Sequence, residues 1–258
     1  MQANDLKLVG LTALVTGTSS GIGQAIAKLF AWNGAKVYGA DIGVEEGRAM
    51  ETELKGSAGS FVFHEVNLLD GNSIEEWVEM VQSKESHVDI LCNVAGISKV
   101  ASIEETDEKL LLDTLGVNFL ASYRLCKLVV PIMKEQKKGV VINVASELAF
   151  VAQPDFSAYC ASKGAVVSFS RSLALEVALD GIRVNILCPG PVETPMLNAE
   201  FEHFSDPKAS RSEAVSTIPL GRLGTPDEIA KVALFLSTDD ASFIQGASIM
   251  ADGGKTLM

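Results

Sequence analysis

The chain has 258 residues, of which 47% are hydrophobic and 21% are charged, and its formal net charge at pH 7 is −12. A chain of this length and hydrophobic content accommodates one large α/β domain with a substantial core. The negative net charge repels phosphate backbones, which argues against general nucleic-acid binding. No apolar run approaches the roughly 20 residues needed to cross a bilayer, so we expect no membrane partner.

The cysteines and histidines form none of the spacings typical of a metal site. The four cysteines make no CxxC pair, and the three histidines make no HExxH motif. We therefore expect no metal and no disulfide framework, and reduced cysteines indicate a cytoplasmic protein. Cys160 is adjacent to Tyr159, but on a helix it points about 100° away from that side chain, which favours a structural role.

Short β-rich runs alternate with longer helical patterns along the chain. Most of these runs are continuously apolar, as expected for strands buried on both faces of a parallel sheet. The predicted strands are residues 12–16, 36–40, 60–66, 89–93, 139–145, 182–188 and 247–251. Seven strands separated by helices predict an α/β fold, a Rossmann-type doubly wound parallel sheet with helices on both faces, in a single domain over residues 1–258.

Helical patterns fill the segments between the strands. Residues 24–34 end in an Asn–Gly stop signal, and residues 73–85 carry apolar side chains at a helical period. Residues 105–138 are also predicted to be helical, with Pro131 kinking or dividing the helix. The proline-rich segment 189–226 is predicted to be irregular. Because it follows a strand, it is a candidate substrate lid.

A glycine loop joins the first strand to the first helix. Gly17, Gly21 and Gly23 have the spacing G-x3-G-x-G. Glycines permit positive φ and let backbone N–H groups approach a pyrophosphate at a helix N-terminus. A tight turn without a ligand would also use glycines, but the strand–turn–helix position favours a dinucleotide-binding loop.

Asp41 ends the second predicted strand, 18 residues after Gly23. A carboxylate at this point can accept hydrogen bonds from an adenosine ribose, and it repels a 2′-phosphate. No basic residue lies nearby in the sequence to pair with an extra phosphate. These observations favour NAD over NADP, although an ordinary turn or cap role for Asp41 is the alternative.

Tyr159 and Lys163 are four residues apart, in the motif YCASK. On a helix they would lie on one face. A free tyrosine ionises near pH 10, and a nearby cation favours the phenolate and lowers that pKa. The pair alone could equally be a packing accident, so its meaning depends on the rest of the chain.

With the glycine loop, Asp41 and YCASK, the sequence resembles the short-chain dehydrogenase/reductase family over nearly its whole length. Several motifs of that family recur in order, namely NVAG (93–96), GVN (116–118), INVAS (142–146), YCASK (159–163) and CPGPVETPM (188–196). The glycine spacing and the chain length resemble the oxidoreductase branch of the family.

The resemblance implies four catalytic residues. Tyr159 would be the general acid/base that exchanges a proton with the substrate oxygen, and Ser146 would hold that oxygen. Lys163 would lower the pKa of Tyr159 and hydrogen-bond the nicotinamide ribose. Asn118 would fix a water that links Lys163 to solvent, although a purely structural role is the alternative for this asparagine.

The resemblance also implies a cofactor-binding set. Asp41 would bind the adenosine ribose, and Thr194 would bond the nicotinamide carboxamide or the phosphate. Asn93 could instead be structural. The full set is Gly17, Ser20, Gly21, Ile22, Gly23, Asp41, Asn67, Leu68, Asn93, Ala95, Gly96, Tyr159, Lys163, Pro189, Gly190, Val192 and Thr194. Val94 and Asn67 depart from the asparagine and aspartate that the family often has at these positions.

These features predict an NAD(H)-dependent oxidoreductase that transfers a hydride between nicotinamide and a secondary alcohol or its ketone. Polyols, sugars and hydroxylated rings are the expected substrates. The predicted pocket residues are Ser146, Glu147, Leu148, Gln153, Phe156, Glu193, Met196 and Leu197. The carboxylates of Glu147 and Glu193 would suit neutral hydroxylated substrates and disfavour anions, unless they simply face solvent.

The nearest alternative is a 3-oxoacyl carrier-protein reductase using NADPH, because sequences of that class look similar. Such enzymes commonly have a basic residue where this chain has Leu175. Asp41, Leu175 and the net charge argue against this alternative, whereas Lys134, Lys137 and Lys138 keep it open.

A non-catalytic NAD-sensing protein on the same fold is a more distant alternative. Such proteins tend to lose the tyrosine or the lysine, and both are present here. The helix predicted over residues 157–179 has small residues at its start and a long apolar component. It could pack against the same helix of a neighbour, so the family resemblance implies a homotetramer, although core packing would also explain the pattern.

Overall fold

All seven predicted strands form, each with ends within one residue of the prediction. The computed structural model describes residues 6–258, so residues 1–5 of the predicted domain lie outside the described residues. The strands are β1 (Thr12–Thr16), β2 (Lys36–Asp41), β3 (Ser60–Glu65), β4 (Ile90–Asn93), β5 (Gly139–Val144), β6 (Ile182–Pro189) and β7 (Ser248–Ala251).

The strands build one parallel sheet in the order β3-β2-β1-β4-β5-β6-β7. The chain moves outward from β1 to β3 and then returns to add β4 on the other side of β1. In open α/β sheets, ligands bind at such a reversal point, outside the carboxyl ends of the strands. The topology therefore places the site beside β1 and β4.

The helices connect these strands and cover both faces of the sheet. They are α1 (Gly21–Trp32), α2 (Val44–Glu53), α3 (Gly71–Lys84), α4 (Glu108–Leu115), α5 (Ala121–Gln136), α6 (Ser157–Val177), α7 (Pro195–Glu202), α8 (Pro207–Ser216) and α9 (Pro226–Ser237). On one face, Phe30 of α1 and Leu236 of α9 are fully buried. On the other face, Met133 of α5 and Val177 of α6 are fully buried. The sheet is thus buried on both sides, which explains its continuously apolar strands.

Alternate residues of a strand belong to different cores. Along β1, Ala13 and Val15 pack in the cluster with α1 and α9, whereas Leu14 packs in the cluster with α3, α5 and α6. This follows from the two-residue period of a strand. The strand carries apolar residues at both odd and even positions because neither face of the sheet is open to water there.

The predicted helix over residues 105–138 is interrupted at a different place than expected. Helix α4 ends at Leu115, a π-helical turn spans Gly116–Leu120, and α5 then continues through Pro131 without ending. A π turn is a local widening that is frequently found at functional sites. Of the two effects predicted for Pro131, a kink or a division of the helix, the division is wrong, because the helix is interrupted at Gly116–Leu120 instead.

The combined stretch Glu108–Gln136 also corrects the expectation that no segment could cross a bilayer. By length and composition this stretch would suffice, and 44% of its most apolar window is buried inside the domain. Leu125, Val129 and Met133 pack against the sheet. The stretch is therefore a core helix of the domain.

Residues 189–226 are more regular than predicted, because they contain α7 and α8. The Thr194 side chain caps α7, and the Asp206 side chain caps α8, each followed by a proline in the first turn. Phe201 and Ile218 form part of a small apolar cluster of their own beneath these helices. The segment is therefore a packed two-helix unit next to the carboxyl end of β6.

Candidate active site

Two adjoining cavities open at the carboxyl ends of the strands. One, of 430 Å³, lies beside the glycine loop and is called the glycine-loop cavity. The other, of 550 Å³, contains Tyr159 and is called the tyrosine cavity. Ile22, Gly96, Thr194 and Met196 line both cavities, so a long ligand can extend from one into the other.

The glycine loop has the backbone that its sequence requires. Gly17 and Gly21 have φ values of +74° and +55°, a region that favours glycine. A Cβ atom on Gly23 would lie far inside van der Waals contact of the Gly17 carbonyl oxygen. Ser20 precedes α1 and makes no side-chain cap, so backbone N–H groups at this helix start are available to an anion. The loop fits a dinucleotide pyrophosphate.

Asp41 lies at the end of β2 and lines the glycine-loop cavity. Its Oδ2 accepts a hydrogen bond from the Ser19 N–H at 3.0 Å. Its Oδ1 accepts from the N–H groups of Ile42 at 2.7 Å and Gly43 at 3.0 Å. The carboxylate is therefore held in one orientation, and its remaining lone pairs are available to hydroxyl groups of a ligand.

The loops after β3 and β4 supply other walls of the glycine-loop cavity. Asn67 and Leu68 lie after β3, and Ala95 and Gly96 lie after β4, as the sequence predicted. The Thr16 hydroxyl oxygen accepts from the Ala95 N–H at 3.1 Å, which ties the second loop to β1.

Asn93 does not line either cavity, contrary to the expectation for the cofactor set. It is buried, and its Nδ2 donates to Asn143 Oδ1 at 2.7 Å. The Asn143 Nδ2 in turn donates to Ser170 Oγ at 2.8 Å. Asn93 therefore points toward α6 and not into a cavity. It belongs to a chain of buried hydrogen bonds that joins β4, β5 and α6.

The tyrosine cavity brings Ser146, Tyr159 and Lys163 together. Ser146 follows β5, and its Oγ accepts from the Leu148 N–H at 3.1 Å. Tyr159 and Lys163 lie one turn apart on α6, with the Lys163 Nζ 5.6 Å from the centre of the Tyr159 ring. Lys163 is 3% exposed, and its Nζ donates to the Val144 carbonyl oxygen at 3.0 Å.

Burial controls the pKa values of this pair. It raises the pKa of Tyr159 above its usual value, while a hydrogen bond from the Ser146 side chain acts in the opposite direction. Burial also lowers the pKa of Lys163 to about 8. The net pKa shift of Tyr159 is thus opposite to the one expected from Lys163, because loss of hydration outweighs the favourable contacts of the phenolate.

Asn118 lies in the π-helical turn and is 1% exposed. Its Oδ1 accepts from the Ile97 N–H at 2.7 Å, and its Nδ2 donates to Ser162 Oγ at 2.9 Å. A Cβ atom on Gly96 would lie 3.3 Å from both the Asn118 Oδ1 and the Lys163 Nζ. The asparagine, the lysine and the loop after β4 therefore converge, because the π turn presents Asn118 toward α6.

Most of the predicted substrate and nicotinamide residues line the tyrosine cavity. They are Ser146, Glu147, Leu148, Gln153, Phe156, Pro189, Gly190, Val192, Thr194, Met196 and Leu197. Glu193 is the exception. It is exposed and forms an ion pair with Arg211 on the outside of α8, so its predicted place in the pocket is wrong.

Glu200 and Lys255 are charged residues of the tyrosine cavity that were not predicted from sequence. Glu200 lies on α7, four residues after Met196 and three after Leu197, and this helical spacing could have indicated it. Lys255 follows β7 and lines the cavity, but it is far in sequence from the other cavity residues, so no local pattern indicates it. Within residues 6–258, no group of three or more His, Cys, Asp or Glu side chains is placed to hold a metal ion.

Comparison with known proteins agrees with this geometry. The sequence model of a protein family described as Enoyl-(Acyl carrier protein) reductase matches residues 17–256. The chain is 37% identical over 252 residues to a 3-oxoacyl-[acyl-carrier-protein] reductase of Thermotoga maritima, covering 98% of this chain and 100% of the relative. It is 36% identical over 254 residues to a D-threitol dehydrogenase of Mycolicibacterium smegmatis, covering 98% and 95%.

A solved structure is also similar to this chain in fold and sequence. The crystal structure of a protein described as an NAD(P)-dependent gluconate 5-dehydrogenase from Beutenbergia cavernae, with bound NADP at low occupancy, has a TM-score of 0.90 and 34% sequence identity to this chain. The match covers 98% of this chain and 99% of that one. The glycine loop, the Ser–Tyr–Lys arrangement and these relatives identify the chain as a member of the short-chain dehydrogenase/reductase family, an oxidoreductase that acts on an alcohol or its ketone.

Proposed function

We propose that the protein is an NAD(H)-dependent dehydrogenase of neutral polyhydroxylated secondary alcohols, such as polyols and sugars. The observation that carries the proposal is the charge of the tyrosine cavity. Four acidic side chains and two basic ones line it; they are Glu147, Asp155, Glu200 and Glu213, and Lys163 and Lys255. Such a lining repels anionic substrates and offers hydrogen-bond acceptors to hydroxyl groups.

The chemistry is divided between the cofactor and the side chains. Nicotinamide supplies and accepts the hydride when it is bound. In reduction, the Tyr159 hydroxyl gives its proton to the substrate oxygen, where negative charge develops, and Ser146 donates a second hydrogen bond to the same oxygen. In oxidation, Tyr159 takes the proton back. Lys163 binds the nicotinamide ribose, and Asn118 supports Lys163.

The pH dependence of catalysis follows from the raised pKa of Tyr159. Oxidation requires the tyrosinate as base, whereas reduction requires the protonated phenol as acid. Because the raised pKa keeps the phenol protonated at neutral pH, we expect kcat/KM for alcohol oxidation to rise about tenfold per pH unit from pH 6 up to the pKa of about 8 of Lys163. Ketone reduction should stay level from pH 6 to 8. Steady-state rates in both directions across pH 6–10 test this, and an oxidation rate that falls above pH 7 would contradict it.

The cofactor proposal rests on Asp41. Its carboxylate is fixed by three backbone N–H groups and faces the glycine-loop cavity, where it would repel a 2′-phosphate. We expect kcat/KM with NAD to exceed that with NADP at least tenfold, and Asp41→Ala to reduce this ratio at least tenfold. Glu79→Ala, which removes an exposed acid on α3, serves as the charge-matched control. A wild-type preference for NADP would refute the assignment.

The polyol proposal is supported by the D-threitol dehydrogenase relative as well as by the cavity. Segment 189–226 is proposed to act as the substrate lid, since α7 places Met196, Leu197 and Glu200 in the tyrosine cavity. The test is a panel of alcohols with NAD, followed at the NADH absorbance. We expect tetritols and pentitols to be oxidised at higher kcat/KM than carboxylated sugars of the same length.

One relative favours a second candidate function. The 3-oxoacyl-[acyl-carrier-protein] reductase of Thermotoga maritima is 37% identical to this chain. A reductase of this kind would reduce an acetoacetyl thioester with NADPH. Leu175, an exposed residue of α6, offers no charge to an acidic carrier. Strong NADPH-dependent turnover of the thioester, with no turnover of polyols, would favour this candidate instead.

We also propose that the protein is a homotetramer. Leu175, Leu179 and Phe243 are at least 82% exposed in the single chain, and large apolar side chains of this kind favour subunit contacts. Gel filtration with light scattering tests this proposal, and a monomer near 27.3 kDa would refute it.

A further inference from the structure

A buried ion pair lies in the tyrosine cavity, beyond the Ser–Tyr–Lys group. Lys255 Nζ lies 2.8 Å from Glu147 Oε1, and their side chains are 18% and 4% exposed. Lys255 is positioned by the turn after β7, in which the Asp252 carboxylate accepts from the Thr256 N–H at 2.8 Å and its hydroxyl at 2.7 Å. These hydrogen bonds fix the backbone that carries Lys255, and the ion pair with Glu147 positions its ammonium group at the cavity.

Glu147 is committed to holding this ammonium group. Its Oε2 is buried without a hydrogen-bond partner, and a Cβ atom on Gly190 would lie 2.6 Å from it. The Glu147 carboxylate therefore lies against the backbone of Gly190, and its Oε1 is the oxygen that pairs with Lys255. An ammonium group has three N–H donors, and in the described chain Lys255 uses one of them, on Glu147. Two donors remain for a ligand in the cavity.

Glu200, on α7, lines the same cavity. Among residues 6–258, no basic side chain lies within ion-pair distance of it. Burial raises the pKa of Glu200, while the Ser98 hydroxyl and the Lys255 charge act in the opposite direction. Glu200 lines the same cavity as Tyr159, and its charge raises the pKa of Tyr159. Glu200 is half-buried, and a carboxyl group of this kind without an ion-pair partner is an acceptor for a ligand hydroxyl.

We propose that Glu200 and Lys255 together bind a second hydroxyl group of the substrate, close to the one from which Tyr159 takes a proton. Lys255 donates a hydrogen bond to that hydroxyl oxygen, and Glu200 accepts a hydrogen bond from the same hydroxyl. A hydroxyl group is both donor and acceptor and satisfies both partners, whereas a carboxylate would satisfy Lys255 and be repelled by Glu200. The inference rests on the proposed alcohol dehydrogenase activity. If it holds, Glu200 and Lys255 give diols and longer polyols a higher kcat/KM than simple alcohols.

The experiment compares a simple alcohol with a polyol on matched variants. The substrates are 2-butanol and threitol with NAD, and the variants are Glu200→Leu, Lys255→Met and the double variant Lys255→Met/Glu147→Gln. The double variant avoids leaving a buried carboxylate unpaired, so a loss of folding in Lys255→Met alone does not decide the result. Glu193→Leu is the control, because this glutamate lies on the same segment but pairs with Arg211 outside the cavity.

Removal of Glu200 or Glu147 changes the charge around Tyr159 and so acts on both substrates, which makes the ratio of kcat/KM for threitol to kcat/KM for 2-butanol the decisive quantity. We expect Glu200→Leu and the double variant to lower this ratio at least tenfold, mainly through KM for threitol. Glu193→Leu should leave the ratio unchanged. An unchanged ratio in Glu200→Leu and the double variant would overturn the proposal. If the wild-type enzyme oxidises 2-butanol as well as threitol, the proposed role of Glu200 and Lys255 fails while the dehydrogenase function stands. If it oxidises neither, both fail.

Discussion

Tyr159→Phe is expected to lower kcat for alcohol oxidation and ketone reduction by about 10²–10⁴-fold, the range typical for loss of a general acid/base. The phenylalanine ring keeps the volume of tyrosine and the edge-to-face contact with Phe156. It removes only the hydroxyl that we propose to exchange a proton with the substrate. The measurement is the initial rate at the NADH absorbance with saturating substrate, together with the melting temperature and the binding of NADH followed by its fluorescence.

The matched control for this variant is Tyr123→Phe. Tyr123 lies on α5, is 45% exposed, and also packs edge-to-face on an aromatic ring, that of Phe169. We expect its kcat to stay within about twofold of the wild-type value, because surface substitutions away from the site usually change little. Tyr159→Phe should bind NADH normally while losing turnover. A variant that retains wild-type kcat would show that another group moves the proton.

Gly23→Ala is expected to abolish measurable cofactor binding and to lower stability. The new Cβ would clash with the Gly17 carbonyl oxygen and would lie 2.8 Å from the Thr16 carbonyl oxygen, both of which belong to backbone that cannot rotate away. Forcing atoms into a closely packed site costs about 1–3 kcal/mol. In a protein of this size, that corresponds to a fall of roughly 2–4 °C in melting temperature per kcal/mol. The loop would have to move, and the N–H groups that face the pyrophosphate would move with it.

Gly56→Ala provides the control for the glycine substitution. Gly56 is exposed, and a Cβ atom there meets nothing within 4 Å. Its melting temperature should therefore stay unchanged or rise slightly, because alanine restricts the unfolded chain. Titration of NADH against both variants separates the two effects. Unaltered NADH affinity in Gly23→Ala would mean that the glycine loop does not hold the dinucleotide.

The strands were predictable from sequence because most are continuous apolar runs, a pattern that burial on both faces favours. The backbone of the glycine loop and the presence of Ser146, Tyr159 and Lys163 in one cavity were also predictable. Each of these features is local in sequence or follows a predicted strand. The structure adds the distances among them, such as the 5.6 Å between Lys163 Nζ and the Tyr159 ring centre.

The acidic pocket residue after β6 was misassigned because the start of α7 is not evident from sequence composition. Glu193 precedes the Thr194 cap and turns outward to Arg211, whereas Glu200 lies on the face of α7 that also carries Met196. A shift of helix start by a few residues changes which side chains share a face. A carboxylate from this segment does line the cavity, but it comes from a position seven residues later than predicted.

Two further features could not be derived from local patterns. The π turn at Gly116–Leu120 depends on how α4 and α5 meet the sheet, and its sequence carries no proline to mark it. The raised pKa of Tyr159 depends on burial by residues from several elements, and the charges of Glu200 and Glu147 add to it. Both features depend on tertiary packing. They cannot be inferred from the spacing of two residues in the sequence, such as Tyr159 and Lys163.

The turn that carries Lys255 has a consequence for the order in which the site is completed during protein synthesis. The glycine loop and Asp41 belong to the first two strands and their connections, whereas Lys255 follows β7, the last strand of the sheet. Chains grow from the N-terminus at about 5–20 residues per second, so early elements are available first. A nascent chain therefore contains the glycine loop long before it contains Lys255, one of the two residues that we propose to select polyols.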